Sequence, residues 1–217
     1  MSETKKNLSS PFARTTAVYR VGYFLCRIIF IVLRRVKVRG TENIPSSGAF
    51  IVAPNHSSWL DPPLVGAASP VPLSYMAKKE LFSSPLLGWL LPRVNVFPVD
   101  RGVSDIGAVR AAFRILGSGL PLLLFPEGTR GKKKTAAAPA PQKKPPKLGA
   151  GYFAAKFQAP VIPVRIINAG YFFSFKPVEI IWGKPVAPPP AGSKDDYAAY
   201  TLEIIEKIYS LSPGGNR

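Results

Sequence analysis
The apolar positions of this chain fall into short runs broken by proline, glycine and charge, and these runs alternate with longer amphipathic stretches. Short, near-continuous apolar runs bounded by turn residues predict buried strands. They cover 49–53, 73–77, 93–99, 120–125, 161–167 and 178–182, the last as an edge or late strand. Val36-Lys37-Val38-Arg39 alternates as a short strand should. After Lys78-Lys79-Glu80-Leu81 a helical segment runs to Leu91. A second helix carries Ile106, Val109, Arg110, Phe113, Ile115 and Leu116, with Ser104 as N-cap and Gly117-Ser118-Gly119 closing it. A last helix over 195–211 puts Tyr197, Tyr200, Leu202, Ile205, Ile208 and Tyr209 on its buried side. Near-continuous strands alternating with helices predict an α/β fold, a mostly parallel sheet of about seven strands covered by helices.

The stretch 15–36 is apolar on a different pattern. Arg20, Arg27 and Arg34 are seven apart, so on a helix they share one narrow stripe, and the positions around that stripe are aliphatic or aromatic. No uninterrupted apolar segment reaches the ~18 to 20 residues of a spanning helix. Arg27 at the centre of such a span would cost roughly 2.5 to 3.5 kcal/mol. The pattern predicts an interfacial helix whose arginines snorkel to lipid phosphates while its other face enters the acyl region. An ordinary helix packed on its own domain and a single span are the alternatives. A signal peptide fits poorly, because Arg27 interrupts the apolar core and no small-residue cleavage site follows.

Charge and cysteine content narrow the chemistry. The formal net charge is +17, and nine basic residues up to Arg39 face one acid, Glu3. That balance points to an anionic partner such as lipid head groups, nucleic acid or an acidic carrier protein. A mean hydropathy of +0.11 suits a protein that lies on a membrane. The single cysteine, Cys26, excludes an internal disulfide, and one cysteine with one histidine argues against a zinc site. The expectation is metal-free chemistry without a cofactor.

The one histidine, His56, follows the predicted strand 49–53 across Pro54-Asn55, and Asp61 comes five residues later, before Pro62-Pro63. A neutral imidazole accepts a proton near neutral pH, and a carboxylate beside it fixes its tautomer and stabilises the imidazolium. Five residues is not a helical neighbour spacing, so His56 belongs in the turn or at the start of a short helix, with Asp61 reaching back. Arg101 and Arg130 also follow apolar strands closely, and in a parallel sheet such strand ends share one edge, where α/β sheets place ligands. Their guanidinium forks suit a phosphate monoester, and Lys79 could add a third charge.

Asn55-His56-Ser57-Ser58-Trp59-Leu60-Asp61 resembles the first motif, His-x4-Asp, of the glycerolipid acyltransferases, the family of 1-acylglycerol-3-phosphate acyltransferase. Val96 to Arg101 is similar to the family's second motif, and Phe125-Pro126-Glu127-Gly128-Thr129-Arg130 to its third. Pro160-Val161-Ile162-Pro163-Val164 is similar to the fourth, which also fits a plain core strand. The resemblance implies transfer of a fatty acyl group from an acyl-CoA or acyl carrier protein thioester to the sn-2 hydroxyl of lysophosphatidic acid, giving phosphatidic acid. It implies His56 as general base, Asp61 as its partner, and Arg101, Arg130 and Lys79 at the substrate phosphate. Glu127, Gly128 and Thr129 would form the substrate-binding turn, with Glu127 orienting an arginine or binding a substrate hydroxyl. Attack would be direct, since no Gly-x-Ser-x-Gly elbow exists and Cys26 lies in the membrane segment. Backbone N–H groups near Ser57 and Ser58 are candidate oxyanion donors.

The expected organisation is a membrane-associating helical segment over 1–35, an α/β acyltransferase domain over 36–211 and a tail over 212–217. Residues 1–13 are polar and expected to be disordered. Within the domain, 131–147 departs from the family pattern: six lysines, four prolines, four alanines and no acid predict a mobile insertion, either a tolerated surface loop or a tether to anionic membrane or carrier protein. Expected partners are anionic membrane lipids, lysophosphatidic acid and the thioester donor, with the protein peripheral or monotopic at the cytoplasmic face. Two other readings share parts of this pattern. One is an enzyme acylating glycerol 3-phosphate or another lysophospholipid. The other is a non-enzymatic basic membrane- or nucleic-acid-binding protein, against which most aromatics sit in apolar runs rather than along a basic stripe, so no nucleic acid is expected.

Overall fold
The computed structural model describes residues 16–30, 35–99, 106–128, 148–170 and 176–213. Among them are seven strands and six α-helices. The strands are β1 (Lys37–Arg39), β2 (Ile51–Pro54), β3 (Tyr75–Lys78), β4 (Val96–Val99), β5 (Leu122–Leu123), β6 (Val161–Ile167) and β7 (Glu179–Trp182). The helices are α1 (Ala17–Ile28), α2 (Asp61–Ala68), α3 (Pro85–Leu90), α4 (Ile106–Gly117), α5 (Gly149–Phe157) and α6 (Lys194–Ser210).

The strands do not form one seven-stranded, mostly parallel sheet. Five make a mixed sheet in the order β1-β7-β6-β2-β5, and β3 pairs with β4 in a separate two-stranded sheet. A parallel bridge between Ser74 and Leu122 joins the two, and Leu123 N–H donates to the Ser74 carbonyl at 2.9 Å. β7 runs antiparallel to β6, with Val164 opposite Trp182, and lies inside the sheet rather than at its edge. The physical reason is the connection: 168–178 is too short for the helical crossover a parallel neighbour needs, so the chain reverses. The predicted helix up to Leu91 is also broken. Pro85 and Pro92 divide it into a 3-10 turn (Lys79–Ser83), α3 and a second 3-10 turn (Leu91–Val94).

β2 is the middle of the packing. All four of its residues are buried, as a strand covered on both faces must be. Phe50 and Val52 face Leu64 and Val65 of α2, with Phe30 beyond α1 in the same cluster. Ile51 and Ala53 face Ile115 of α4, Phe153 of α5 and Ile204 and Ile208 of α6. Each such aliphatic or aromatic side chain contributes about 1.5 to 3 kcal/mol of transfer free energy when fully buried. On α6 the buried set is Tyr200, Thr201, Ile204, Ile205 and Ile208, whereas Leu202 faces outward at 42% exposure, contrary to its predicted place.

α1 both docks on the domain and leaves an apolar face open. Buried Tyr19 accepts a hydrogen bond from Leu73 N–H at 3.2 Å, and Tyr23 donates to the Ser69 carbonyl at 2.9 Å. Val21, Phe24, Leu25 and Ile28 point outward, beside exposed Arg20 and Arg27. Among the described residues no helix is long and apolar enough to cross a membrane.

α5 and α6 meet at a glycine. Gly151 N–H donates to Thr201 Oγ1 at 3.2 Å, and a Cβ at Gly151 would lie 2.4 Å from the Tyr197 carbonyl oxygen. Gly151→Ala must therefore push the two helices apart, an overpacking cost of about 1 to 3 kcal/mol. The expected result is a melting temperature lowered by roughly 2 to 4 °C per kcal/mol, and an unchanged melting curve would contradict this packing.

Candidate active site
The site forms where β2 ends. Asn55 clamps this end to β6: its Nδ2 donates to the Ile166 carbonyl at 3.0 Å, and Ile166 N–H donates to its Oδ1 at 2.7 Å. His56 follows in the loop, and Asp61 opens α2, where Pro62 and Pro63 cost nothing because first-turn N–H groups have no intrahelical partner.

His56 Nδ1 lies 2.9 Å from Asp61 Oδ2. A carboxylate only accepts, so Nδ1 carries the proton and Nε2 keeps the free lone pair. The imidazole stacks on the Phe125 ring with centroids 3.8 Å apart and planes 21° from parallel, which fixes its attitude. The His56 side chain is 15% exposed and that of Asp61 is fully buried, so the imidazole is open to the outside while the carboxylate is not.

The same Asp61 oxygen accepts the backbone N–H groups of Ser57 at 2.6 Å and Ser58 at 2.7 Å. The sequence reading offers these two amides to a reaction oxyanion, and the structure corrects it. Charge-assisted bonds this short are strong ones, and amides committed to a buried carboxylate are not free donors.

Glu127 lies beside His56, in the turn that follows β5. Its Oε2 accepts the His56 backbone N–H at 3.4 Å and its Oε1 accepts the Tyr209 hydroxyl at 2.7 Å. Gly128 takes φ of +75°, and its N–H donates to the Phe125 carbonyl at 3.0 Å, so the turn itself calls for glycine. Lys79 is exposed and follows β3 directly. β5 is parallel to β2, the Ser74–Leu122 bridge is parallel, and β4 is parallel to β3. The carboxyl ends of all four strands therefore share the edge that carries His56. Arg101, Thr129 and Arg130, together with Ser104 and the insertion 131–147, lie outside the described residues.

Tyr209 is the participant that sequence periodicity hides, because a helical pattern marks it only as a buried position. Burial pushes its hydroxyl pKa up, and the bond to Glu127 pushes in the same direction. The Arg165 guanidinium lies 4.1 Å from the centre of the Tyr209 ring, with its Nε and Nη1 buried and without hydrogen-bond partners. Among the described residues no group of three His, Cys, Asp or Glu side chains comes together in a way that could hold a metal ion.

A buried carboxylate holds an imidazole with one free nitrogen at the strand ends, an arrangement chemically able to take a proton from a bound hydroxyl. The sequence profile of the acyltransferase family matches residues 35–167, and the chain belongs to that family. It is 29% identical over 192 residues to the 1-acyl-sn-glycerol-3-phosphate acyltransferase of Bacillus subtilis (strain 168), covering 85% of this chain and 92% of that protein. The lyso-ornithine lipid O-acyltransferase of Pseudomonas aeruginosa is 37% identical over 94 residues, 43% of this chain and 35% of that protein. The fold is similar to the crystal structure of the 1-acyl-sn-glycerophosphate (LPA) acyltransferase PlsC from Thermotoga maritima. The TM-score is 0.67 at 27% identity, over 89% of this chain and 78% of that one.

Asp61→Asn keeps the shape of the side chain but no longer enforces the Nδ1–H tautomer of His56. Acyl-transfer turnover is expected to fall by on the order of ten-thousandfold, measured by thiol release from an acyl thioester. Turnover within a factor of about two of the wild type would remove Asp61 from the machinery.

Proposed function
We propose that this acyltransferase moves a fatty acyl group from an acyl-CoA or acyl carrier protein thioester to the sn-2 hydroxyl of 1-acylglycerol 3-phosphate, giving phosphatidic acid. The observation that carries the reading is the His56–Asp61 pair, with Nε2 as the nitrogen left to accept a proton. The name and 92% coverage of the Bacillus subtilis relative support this acceptor.

In this reading His56 Nε2 takes the proton of the acceptor hydroxyl as its oxygen attacks the thioester carbonyl. The C–O bond forms, the C–S bond breaks, and the imidazolium returns the proton to the departing thiolate. Asp61 stabilises that imidazolium through Nδ1–H. Arg101, Arg130 and Lys79 hold the acceptor phosphate, and the Glu127-Gly128-Thr129 turn lines the acceptor site. No metal or cofactor takes part.

The protein works peripherally at the cytoplasmic face of the membrane. Support comes from the outward apolar residues Val21, Phe24, Leu25 and Ile28, flanked by Arg20 and Arg27, a pattern suited to the lipid interface. A second acceptor, another lysolipid, has one observation in its favour, the similarity to the lyso-ornithine lipid enzyme.

The test is thioester consumption in vesicles with lysophosphatidic acid, glycerol 3-phosphate and lyso-ornithine lipid side by side, for wild type and His56→Ala. Lysophosphatidic acid is expected to give the highest kcat/KM, and His56→Ala to lose about two to four orders of magnitude. Equal rates for the two proteins would end the general-base mechanism, and a faster reaction with another acceptor would replace the proposed substrate.

A further inference from the structure
The imidazole of His56 is held by Asp61 and Phe125, and its backbone is held by a separate chain of contacts. His56 N–H donates to Glu127 Oε2 at 3.4 Å, close to the long limit of a hydrogen bond. A contact of that length is lost when its acceptor moves by a few tenths of an ångström. The acceptor is therefore useful only if something else fixes it. That something is Tyr209, whose hydroxyl donates to the other Glu127 oxygen at 2.7 Å, a short charge-assisted bond.

Tyr209 is braced in turn. The Arg165 guanidinium covers its ring at 4.1 Å, within cation–π range. Burial lowers the Arg165 pKa, while the nearby Tyr209 and Glu127 act to keep the guanidinium charged. With Nε and Nη1 lacking hydrogen-bond partners, the described contacts of this group are the ring face and the field of Glu127. The three residues come from different elements: Glu127 after β5, Arg165 on β6 and Tyr209 in the last turn of α6. β6 already grips the neighbouring Asn55 through Ile166.

We propose that Tyr209 and Arg165 are positioning residues for acyl transfer: Tyr209 fixes the Glu127 carboxylate against the His56 backbone amide, and Arg165 braces the Tyr209 ring and balances the Glu127 charge. Neither touches the reacting atoms. The inference rests on His56 being the general base, and it makes the last turn of α6 part of the catalytic apparatus. A residue that binds the substrate phosphate would act on KM. A residue that sets the attitude of the base acts on kcat, because small misplacements of a catalytic group slow the chemical step.

The experiment takes the full-length protein with Tyr209→Phe, which keeps the ring under Arg165 and deletes only the hydroxyl. The expected result is a kcat lowered on the order of tenfold with acceptor KM little changed. Combined with Glu127→Gln, the two losses should not multiply, because both substitutions break one chain of contacts. Arg165→Met should lower kcat in the same way, and Arg165→Lys should recover part of it through the retained cation. Amide hydrogen exchange at His56, which does not depend on activity, should be faster in Tyr209→Phe than in wild type. Unchanged kcat with unchanged His56 exchange would overturn the proposal, as would a rise in KM at constant kcat for Arg165→Met. Loss of the general-base reading shows separately, as an active His56→Ala protein in which the exchange difference persists.

Discussion
One carboxylate oxygen organises the end of the sheet that carries His56. Asp61 is wholly buried, and its Oδ2 accepts the His56 Nδ1–H and the backbone N–H groups of Ser57 and Ser58. A buried carboxylate needs such donors; all three meet Oδ2, the buried Oδ1 has no hydrogen-bond partner, and the first turn of α2 adds the positive end of its dipole. This explains why five residues, an awkward interval on a helix, is the working one here. The chain between His56 and Asp61 wraps the carboxylate and supplies two of its three donors. The same constraint that folds the loop presents the imidazole with Nε2 uncommitted.

The sheet then sets what this imidazole can meet. β2, β5, β3 and β4 run in one direction, so the turn carrying Glu127 and the end of β4 at Val99 lie on the same side as His56. β6 secures the loop from the other side through Asn55, and α6 reaches the site through Tyr209. On the face covered by α2, α1 docks through Tyr19 and Tyr23 and still leaves Phe24 and Leu25 open. The acyl-transfer reading thus draws on both parts of the chain, one for proton transfer and one for contact with a lipid phase.

Much of this is legible in the sequence, for identifiable reasons. The apolar runs around β2 and β6 are covered on both faces and bounded by Pro54, Pro160 and Asn168, so they stand out as strands. His56 and Asp61 stand out because the proline pair confines them to a loop and a helix start. Strand direction is less visible, since the run at β7 looks the same either way round. The short connection 168–178, with Asn168 at φ of +63°, is the signal that favours reversal. The fate of the Ser57 and Ser58 amides is hidden too, because backbone donors leave no trace in side-chain pattern. Tyr209 is hidden for another reason. Its partner lies 82 residues away, and helical period marks the face of a residue without naming what it meets.

The central claim is that the sole imidazole carries its proton on Nδ1, toward Asp61, and offers Nε2 to the acceptor. Because His56 is the one histidine in the chain, a long-range proton–nitrogen-15 spectrum of imidazole-labelled protein reports on it alone. For the neutral imidazole, the account predicts the Nδ1–H tautomer, with Nε2 showing the signal of an unprotonated nitrogen. An Nε2–H tautomer in the folded wild-type protein would contradict it.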